Sequence, residues 1–250
     1  MSGISELQVH LEPKTVFTLF EVIPITDTIL NMWLVMFILI SLTLFIRLKL
    51  KYLPSGFQNL VEWSLGGLHD FMENIGGKEA QKHFVPFITF FLVILFSNWL
   101  GLSLGFISEH LNLRAPTSDL NSTAALAISA FLYFEYQGVK AHGFFAYLGH
   151  FINIKAVFKK GPMGIIDFFV GILHIVSELV RPIALSLRLF GNIFGGEIVL
   201  AVAFLLVKPL IPIPFMILEF VVGLIQAFVF ATLFLTFTSL NTAHTIEQAH

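Results

Sequence analysis

The sequence predicts an all-α, polytopic membrane protein with about five transmembrane helices. Hydrophobic residues make up 56% of the 250 residues, whereas charged residues make up only 12%. A soluble globular domain carries roughly 25% charged residues, so this chain has too few to cover a water-facing surface. The apolar residues also gather into stretches of about 20 residues or more, the length that a helix needs to cross a bilayer. Both observations favour lipid as the surroundings of the chain.

The composition also excludes several kinds of site. Cys is absent, which rules out disulfides, thiolate metal sites and cysteine nucleophiles. The net charge of -2 offers no basic face for nucleic acid. Glu6, Glu12 and Pro13 interrupt the N-terminus, so we expect no cleavable leader and a first apolar stretch that stays in the mature protein. We expect no metal, no cofactor and no nucleic-acid partner.

The first half of the chain predicts one span, one surface helix and a second span. Residues 1–27 form an outer segment, and residues 28–46 form the first span. Residues 54–82 carry apolar side chains near helical spacing with acids between them, which is typical of an amphipathic helix on the membrane surface. The second span covers residues 84–106. No repeat or linker interrupts the chain, so residues 1–250 form a single integral membrane domain.

The second half predicts a third span and a long helical hairpin. The third span covers residues 120–137, and a long apolar stretch with embedded charges covers residues 164–207. At 1.5 Å per residue that stretch makes a helix of roughly 66 Å, about twice the thickness of a bilayer core. We expect one tilted helix bent at Pro182, because two spans would need a turn where the sequence has no loop. A fifth helix at residues 212–240 and a cytoplasmic tail at residues 241–250 complete the chain.

Basic residues in the loops predict the orientation of the chain. The loops after the first and third spans hold most of them, whereas the alternate loops hold only Arg114 and Lys208. Lys and Arg mark the cytoplasmic side, so we expect the N-terminus outside and the C-terminus inside. The basic residues on the cytoplasmic side are then Arg47, Lys49, Lys51, Lys78, Lys82, Lys140, Lys155, Lys159 and Lys160.

Charged and polar side chains lie inside the long fourth stretch, where lipid penalises them. A charged side chain at the bilayer centre costs at least about 2.5–3.5 kcal/mol on insertion scales, so such residues usually face a cavity or a partner and mark an ion path. Arg188 is the clearest case, because it lies too far from the ends of the stretch to reach a headgroup. The set is His174, Ser177, Glu178, Arg181, Ser186, Arg188, Asn192 and Glu197.

Helical geometry sorts these residues onto two faces. At about 100° per residue, Arg181 and Asn192 fall within about 40° of Arg188, whereas Glu197 falls about 180° away. We therefore expect Glu197 to face other helices of this chain, on a separate polar route. The last helix is the natural neighbour for close packing at three glycines, Gly191, Gly195 and Gly196.

Some of these polar residues also admit simpler roles, which we keep open. Glu178 lies three residues before Arg181, the spacing of an ion pair within one helix. His174 could lie at the membrane interface instead of in a path. Gln226, which shares a face of the last helix with Glu219, could serve as a hydrogen bond between helices.

The segment Leu187-Arg188-Leu189-Phe190-Gly191-Asn192 resembles the signature of subunit a of F-type ATP synthases, in its bacterial form. The resemblance covers nearly the whole chain in order. Further matching segments are Arg181-Pro182, Gly196-Glu197, Gln226-Ala227-Phe228-Val229-Phe230, Asn98-Trp99-Leu100-Gly101-Leu102 and Pro116-Thr117-Ser118-Asp119-Leu120-Asn121-Ser122-Thr123.

Two departures from the family pattern concern acidic residues. Some members carry an acid where this chain has Gly101. The family also tends to pair an acid with a histidine at two positions where this chain has Glu197 and Glu219. The resemblance therefore implies an outer route that is carried by two carboxyl groups.

The resemblance implies a proton-translocating stator subunit, without an active site of its own for ATP. It implies that Arg188 faces the mid-membrane carboxylates of a rotating c-subunit ring and couples proton flow to ATP synthesis. The outer half-channel would contain Glu197, Glu219, Gln226, Asn98, Asp119 and Asn121. The inner half-channel or ring-facing surface would contain Asn192, Arg181, His174, Ser177 and Glu178.

The resemblance also implies the partners and the location. The partners would be the c-subunit ring, the b-subunit peripheral stalk, the remainder of the ATP synthase complex and the lipid bilayer, in the bacterial plasma (inner) membrane. One alternative function is a secondary ion transporter, which the absence of paired repeats disfavours. Another is a sodium-coupled version of the same subunit, because the ring usually decides the ion.

Overall fold

The computed structural model describes residues 15–19, 23–52, 56–107, 115–143, 147, 162–206 and 212–243. The loop residues Arg114, Lys155, Lys159, Lys160 and Lys208, on which part of the orientation prediction depends, lie outside the described residues, as do residues 244–250 of the predicted tail. The described part is helical apart from one short hairpin. In that hairpin, strand β1 (Thr15–Leu19) pairs antiparallel with strand β2 (Ile23–Thr26), directly before the first helix.

The described helices follow the order that the apolar pattern predicts, and the all-α class is confirmed for the membrane part of the chain. Four helical stretches are long and apolar enough to cross a membrane, namely Asp27–Leu48, Phe57–Ser103, Phe169–Ala203 and Pro212–Thr242. The helices are α1 (Asp27–Leu48), α2 (Phe57–Ala80), α3 (Phe84–Ile107), α4 (Leu120–His142), α5 (Pro162–Leu206) and α6 (Pro212–Ala243). Short 3-10 turns lie at Gln81–His83 and Pro116–Ser118.

Helix α4 is less apolar than α1, α3, α5 and α6, and it packs against both α5 and α6. Its buried residues recur at intervals of three and four, so they lie on one side of the helix. Four of the five side chains on that face are small, so the neighbouring helices approach closely. The buried residues are Thr123, Ala127, Ala130, Phe134 and Gly138.

The core lies between α3 and α6, where aromatic rings fill the space. The ring of Phe90 lies 4.9 Å from that of Phe234 and 5.8 Å from that of Phe230, measured between centroids. Further along the same pair of helices, Trp99 stacks on Phe220 at 4.1 Å and donates a hydrogen bond to its carbonyl oxygen at 3.1 Å. Aromatic pairs of this kind contribute about 0.5–1.5 kcal/mol each beyond burial.

The two ends of the bundle differ in charge. At one end lie Arg47, Lys82 and Lys140, which close α1, precede α3 and close α4, and we call it the basic end. At the other end, the acidic end, Asp27 and Asp119 begin α1 and α4. A hydrogen bond of 2.9 Å from Thr28 Oγ1 to Asp119 Oδ2 holds these two helix starts together.

Helix α2 packs against α6 at the basic end. A Cβ on Gly76 would lie 2.9 Å from Ser239 Oγ, so the contact requires a glycine. Gly77, at φ 67°, interrupts the helical backbone one residue later. The other side of α2 exposes Leu60 and Trp63, which fits the predicted surface helix.

Helix α5 is one continuous helix of 45 residues with Pro182 inside it. At 1.5 Å per residue it is about 68 Å long, against a hydrocarbon core of about 30 Å. Its outer side exposes large apolar side chains, including Leu179, Ile183 and Leu187. Exposed apolar surface of this extent is typical of a face that meets lipid or a membrane partner.

Candidate ion-translocation site

Arg188 lies near the middle of α5 and is exposed on its outer side. Within the described part of the chain it has no hydrogen-bond or ion-pair partner. Arg181, two turns earlier, has different surroundings: its Nη1 donates to Glu178 Oε2 at 2.7 Å, and its guanidinium lies 4.7 Å from the centre of the Phe237 ring. Two arginines that share a helical face therefore differ, since one is satisfied inside the bundle and the other points out of it.

Asn192, one turn beyond Arg188, connects the exposed side of α5 to the interior. Its Nδ2 donates to Gln226 Oε1 on α6 at 2.6 Å, and Gln226 is buried. The resemblance to the family predicts Gln226 on the outer route and Asn192 on the ring-facing side. The structure brings the two together as a hydrogen bond between helices, beside Arg188.

The two glutamates of the predicted outer route lie at the acidic end. Glu197 is half-buried, and its Oε1 accepts a hydrogen bond from the backbone N–H of Ala115 at 3.3 Å. Glu219 packs against Gly196, where a Cβ would overlap its carboxyl group. The two carboxyl groups interact electrostatically across the α5–α6 contact.

The other predicted members of this route lie on α3 and α4. Asn98 is buried; its Oδ1 accepts from Thr117 Oγ1 at 2.6 Å, and its Nδ2 donates to the carbonyl oxygen of Gly223 at 3.1 Å. Asp119 caps α4, because its Oδ1 accepts from the backbone N–H of Asn121 at 2.9 Å. Asn121 itself is exposed.

Sequence reasoning missed the polar start of α1 at this end. Three side chains there are nearly inaccessible: Asp27 at 7%, Thr28 at 1% and Asn31 at 3% exposed. The signal was present, since polar residues at the start of an apolar helix are costly unless a partner satisfies them. Thr117, in the turn before α4, was missed in the same way.

At the basic end the structure gathers a second polar group around Glu178, which is 4% exposed. His174 Nε2 lies 3.8 Å from its Oε1, and Arg181 also donates to Asn241 Oδ1 on α6 at 3.3 Å. The ion pair of Glu178 with Arg181, one of the alternatives left open above, is therefore present. Ser177 lies nearby but faces outwards.

Buried apolar side chains separate the two polar groups inside the bundle. Leu185, Leu189 and Ile193 follow one another at intervals of four residues on the inward side of α5, and all are at most 3% exposed. At the same level Ser186 turns inwards, and its Oγ lies 3.3 Å from Thr123 Oγ1 of α4. Along α5, Arg188 therefore lies between the two groups, on the opposite, outward side.

Of the three glycines predicted to pack against the last helix, only Gly196 does so. A Cβ on Gly191 or Gly195 would meet no atom within 4 Å in the described structure. The described contacts of α5 with α6 at this level are instead made by Asn192, which bonds Gln226, and by Gly196, which packs against Glu219. Gly101 has no room for a side chain, because a Cβ there would overlap Ala115.

Within the described residues, no group of three or more His, Asp or Glu side chains is arranged to hold a metal ion. What the arrangement offers is proton chemistry. Carboxyl and hydroxyl groups lie at both ends of the helix bundle, the imidazole of His174 lies at the basic end, and a fixed cation lies between the two ends.

Comparisons with known proteins identify the family of the chain. The ATP synthase A chain family matches residues 29–239. The ATP synthase subunit a of Moorella thermoacetica is 35% identical over 228 residues, covering 91% of this chain and 95% of that protein. The ATP synthase subunits a of Gloeobacter violaceus and Geobacter sulfurreducens are 39% and 37% identical, over 83% and 90% of this chain and 80% and 89% of those proteins. The chain therefore belongs to the family of subunit a of the bacterial F-type ATP synthases, as a multi-pass protein of the membrane sector.

Proposed function

We propose that the chain is the stationary proton-conducting subunit of an F-type ATP synthase, and that Arg188 faces the carboxylates of a rotating partner ring. The observation that carries this proposal is the exposed position of Arg188, without a partner in the described part of the chain, between two separate polar groups.

A partner that carries an acidic group explains why an arginine is kept there. A charged side chain at mid-membrane depth costs at least about 2.5–3.5 kcal/mol on insertion scales. A guanidinium cannot avoid that cost by losing its proton. Arg181 is compensated by Glu178, whereas Arg188 has no such carboxylate in the described residues. The counter-charge for Arg188 therefore comes from another chain.

The surface around Arg188 suits a closely packed helix. Gly191 and Gly195 leave open space beside it, and Ala184 on the preceding turn is exposed. Small residues let the backbone of a neighbouring helix approach closely. A ring helix seated here would bring its carboxylate to the guanidinium, which stabilises the charged form of that carboxylate.

The two polar groups then act as two half-channels. The route at the acidic end is lined by Glu197, Glu219, Asn98, Asp119 and Asn121. Glu178, His174 and Ser177 belong to the route at the basic end, with Arg181 paired inside it. The buried apolar side chains of Leu185, Leu189 and Ile193 lie between the two routes on the inward side of α5.

A proton entering at the acidic end passes to a ring carboxylate, which becomes neutral and can turn into lipid. After rotation the same carboxyl group releases the proton to the route at the basic end and meets Arg188 as an anion. Arg188 keeps its charge throughout and blocks direct proton leakage between the routes. Asn192 and Gln226 hold the α5 and α6 backbones in register beside it.

The basic residues suggest which end faces the cytoplasm. Arg47, Lys82 and Lys140 lie at one end of the bundle, and Lys and Arg are retained on the cytoplasmic side of bacterial membranes. The basic end is then cytoplasmic and the acidic end external. This orientation requires α4 to cross the membrane with the four apolar stretches, leaving the N-terminus outside and the C-terminus inside.

The test is Arg188→Gln in the complete complex, reconstituted into lipid vesicles. We expect the complex to assemble, with the ring and the ATPase head co-purifying, but ATP-driven proton pumping to be lost. Arg47→Gln is the matched control, since Arg47 is also exposed but lies at the end of α1. Pumping retained by the Arg188→Gln complex contradicts the proposal.

A further inference from the structure

Glu135 belongs to a side-chain network at the basic end that joins three helices. Its Oε2 accepts a hydrogen bond from Tyr147 Oη at 2.8 Å, and its Oε1 accepts one from Asn241 Nδ2 at 3.4 Å. Asn241 in turn accepts from Arg181, which is paired with Glu178. The chain of contacts therefore runs from α5 through α6 to α4 without a gap.

The charges in this network do not balance. Two carboxylates, Glu135 and Glu178, share one guanidinium, that of Arg181. Arg181 donates to Glu178 and Asn241, and the two oxygens of Glu135 accept from the neutral donors Tyr147 and Asn241. Glu135 and Glu178 are also close enough to interact electrostatically. An excess of negative charge in a low-dielectric bundle favours the binding of a proton.

The two carboxyl groups, those of Glu178 and Glu135, differ in their exposure to water. Glu178 is 4% exposed, so water has almost no access to it. Glu135 is half-buried and lies seven residues before His142, the last residue of α4 at the basic end. Within this network Glu135 is therefore the carboxyl group with the better access to water.

Tyr147 is held against the end of α4. Its ring lies over Gly138, where a Cβ would come within 2.8–3.2 Å of the ring, and its backbone N–H donates to the carbonyl oxygen of Gly143 at 3.0 Å. Burial, together with the hydrogen bond to Glu135, raises the pKa of Tyr147 above its ordinary value. The hydroxyl therefore keeps its proton and remains a donor to Glu135.

We infer that Glu135 is a further proton-carrying residue of the route at the basic end, passing protons between Glu178 and water, and that Tyr147 is its positioning residue. The inference rests on the proposed function. Glu135 takes up a proton from the Glu178 side and releases one to water, so no charge accumulates in the cycle. The titratable and charged groups around it are Glu178, Arg181 and His174 of α5, His142 of α4, and Tyr147; α6 supplies only the neutral Asn241.

The experiment measures proton flux through the complete complex in vesicles, with the pH varied on one face at a time. Glu135→Gln keeps the shape of the side chain but replaces one of its two acceptor oxygens by an NH2 group, which can donate to the Tyr147 hydroxyl instead. The amide cannot carry a proton in the same way. We expect it to slow the flux at least about tenfold, with the loss depending on the pH at the basic end and not at the acidic end. Glu135→Asp keeps a carboxyl group and should recover much of the flux.

Two further variants make the result specific. Glu79→Gln is the matched control, because Glu79 is an exposed carboxylate at the same end, outside the network. Tyr147→Phe should keep conduction but shift its dependence on the pH at the basic end. If the Glu135→Gln complex does not assemble, the flux and pH profile of the Glu135→Asp complex decide.

The inference is overturned if Glu135→Gln conducts like the unaltered complex. It is also overturned if Glu135→Asp is as slow as Glu135→Gln in an assembled complex, since the residue would then serve only as a structural link. Arg188→Gln, measured in parallel, distinguishes a failure of the proposed function from a failure of the role of Glu135. If the Arg188→Gln complex still pumps protons, the proposed function is contradicted. If it loses pumping while the Glu135→Gln complex conducts normally, only the role of Glu135 is contradicted.

Discussion

The carboxyl group of Glu219 packs directly against the backbone of α5 at Gly196, in space that any side chain at Gly196 would occupy. The glycine is therefore what allows an acid on α6 to lie beside Glu197 on α5. The contact lies at the acidic end, at the level where Glu197 also binds the backbone of Ala115.

This contact predicts that Gly196→Ala disrupts the route at the acidic end. The added methyl group displaces the Glu219 carboxyl group or separates the helices, and overpacking of this kind costs about 1–3 kcal/mol. We expect proton flux in reconstituted vesicles to fall sharply while the complex still forms. Gly67→Ala is the control, because a Cβ there meets nothing within 4 Å. Equal flux in the two variants would show that the Gly196 contact has no role in conduction.

Glu219→Gln tests the acid itself. The amide has nearly the same shape but cannot exchange a proton with water or with a ring carboxylate in the same way. We expect flux to fall by at least about tenfold, since a positioned acid or base contributes a factor of 10² or more to proton transfer. The measurement is passive proton flux with the pH varied at the acidic end.

Two controls accompany this variant. Glu62→Gln changes an exposed carboxylate on α2, and Ser186→Ala removes a buried hydroxyl between the two polar groups. Both should conduct faster than Glu219→Gln. A Glu219→Gln complex that conducts as fast as either control removes Glu219 from the route.

The hydrogen bond between Asn192 and Gln226 predicts energetic coupling between α5 and α6 beside Arg188. In a double-mutant cycle of Asn192→Ala and Gln226→Ala, we expect a coupling energy of about 0.6 kcal/mol, with an upper bound near 1.7 kcal/mol. The measurement is thermal unfolding of the purified complex. Asn192→Ala combined with Thr89→Ala is the comparison, since Thr89 is exposed and bonds only its own helix. Additive effects in the first pair would mean that the contact contributes nothing to stability.

The close packing at Gly101 predicts that an acid cannot be introduced at this position of α3 without a loss of stability. A Cβ at this position overlaps the Cβ, Cα and N of Ala115, so Gly101→Asp must move the backbone before Pro116–Ser118. We expect a loss of about 1–3 kcal/mol in the stability of the complex, which Ala115→Gly does not relieve because the backbone atoms remain. Thermal unfolding, with Ser103→Ala as an exposed control on the same helix, measures it. Unchanged stability in Gly101→Asp would show that the backbone at Ala115 can move away from α3 at little energetic cost.

Several features of the site follow from the sequence because they depend on one helix at a time. The depth of Arg188 within an apolar stretch and its separation of about 180° from Glu197 need only the helical repeat. The ion pair of Glu178 with Arg181 needs only a spacing of three residues. Asp119 before Leu120 also has the local pattern of a helix cap.

The contacts between helices did not follow in this way. Gln226 bonds Asn192 rather than an acid, Gly191 and Gly195 face away from α6, and Glu135 was not singled out at all. Helices α3 and α6 are apolar nearly all round, so their periodicity specifies no preferred face. Which of their polar side chains meets which neighbour depends on the rotation and register of one helix against another.

The sequence by itself determined the membrane residence, the order of the helices, the family and the central arginine, because composition and local periodicity carry that information. Only the tertiary structure decided that Arg188 is exposed while Arg181 is satisfied inside the bundle. It also decided that Gly196 makes room for Glu219, and that Glu135 reaches Tyr147 and Asn241. The physical reason is that side chains from α4, α5 and α6 meet only after close packing has set the distances between helices, and no local pattern encodes those distances.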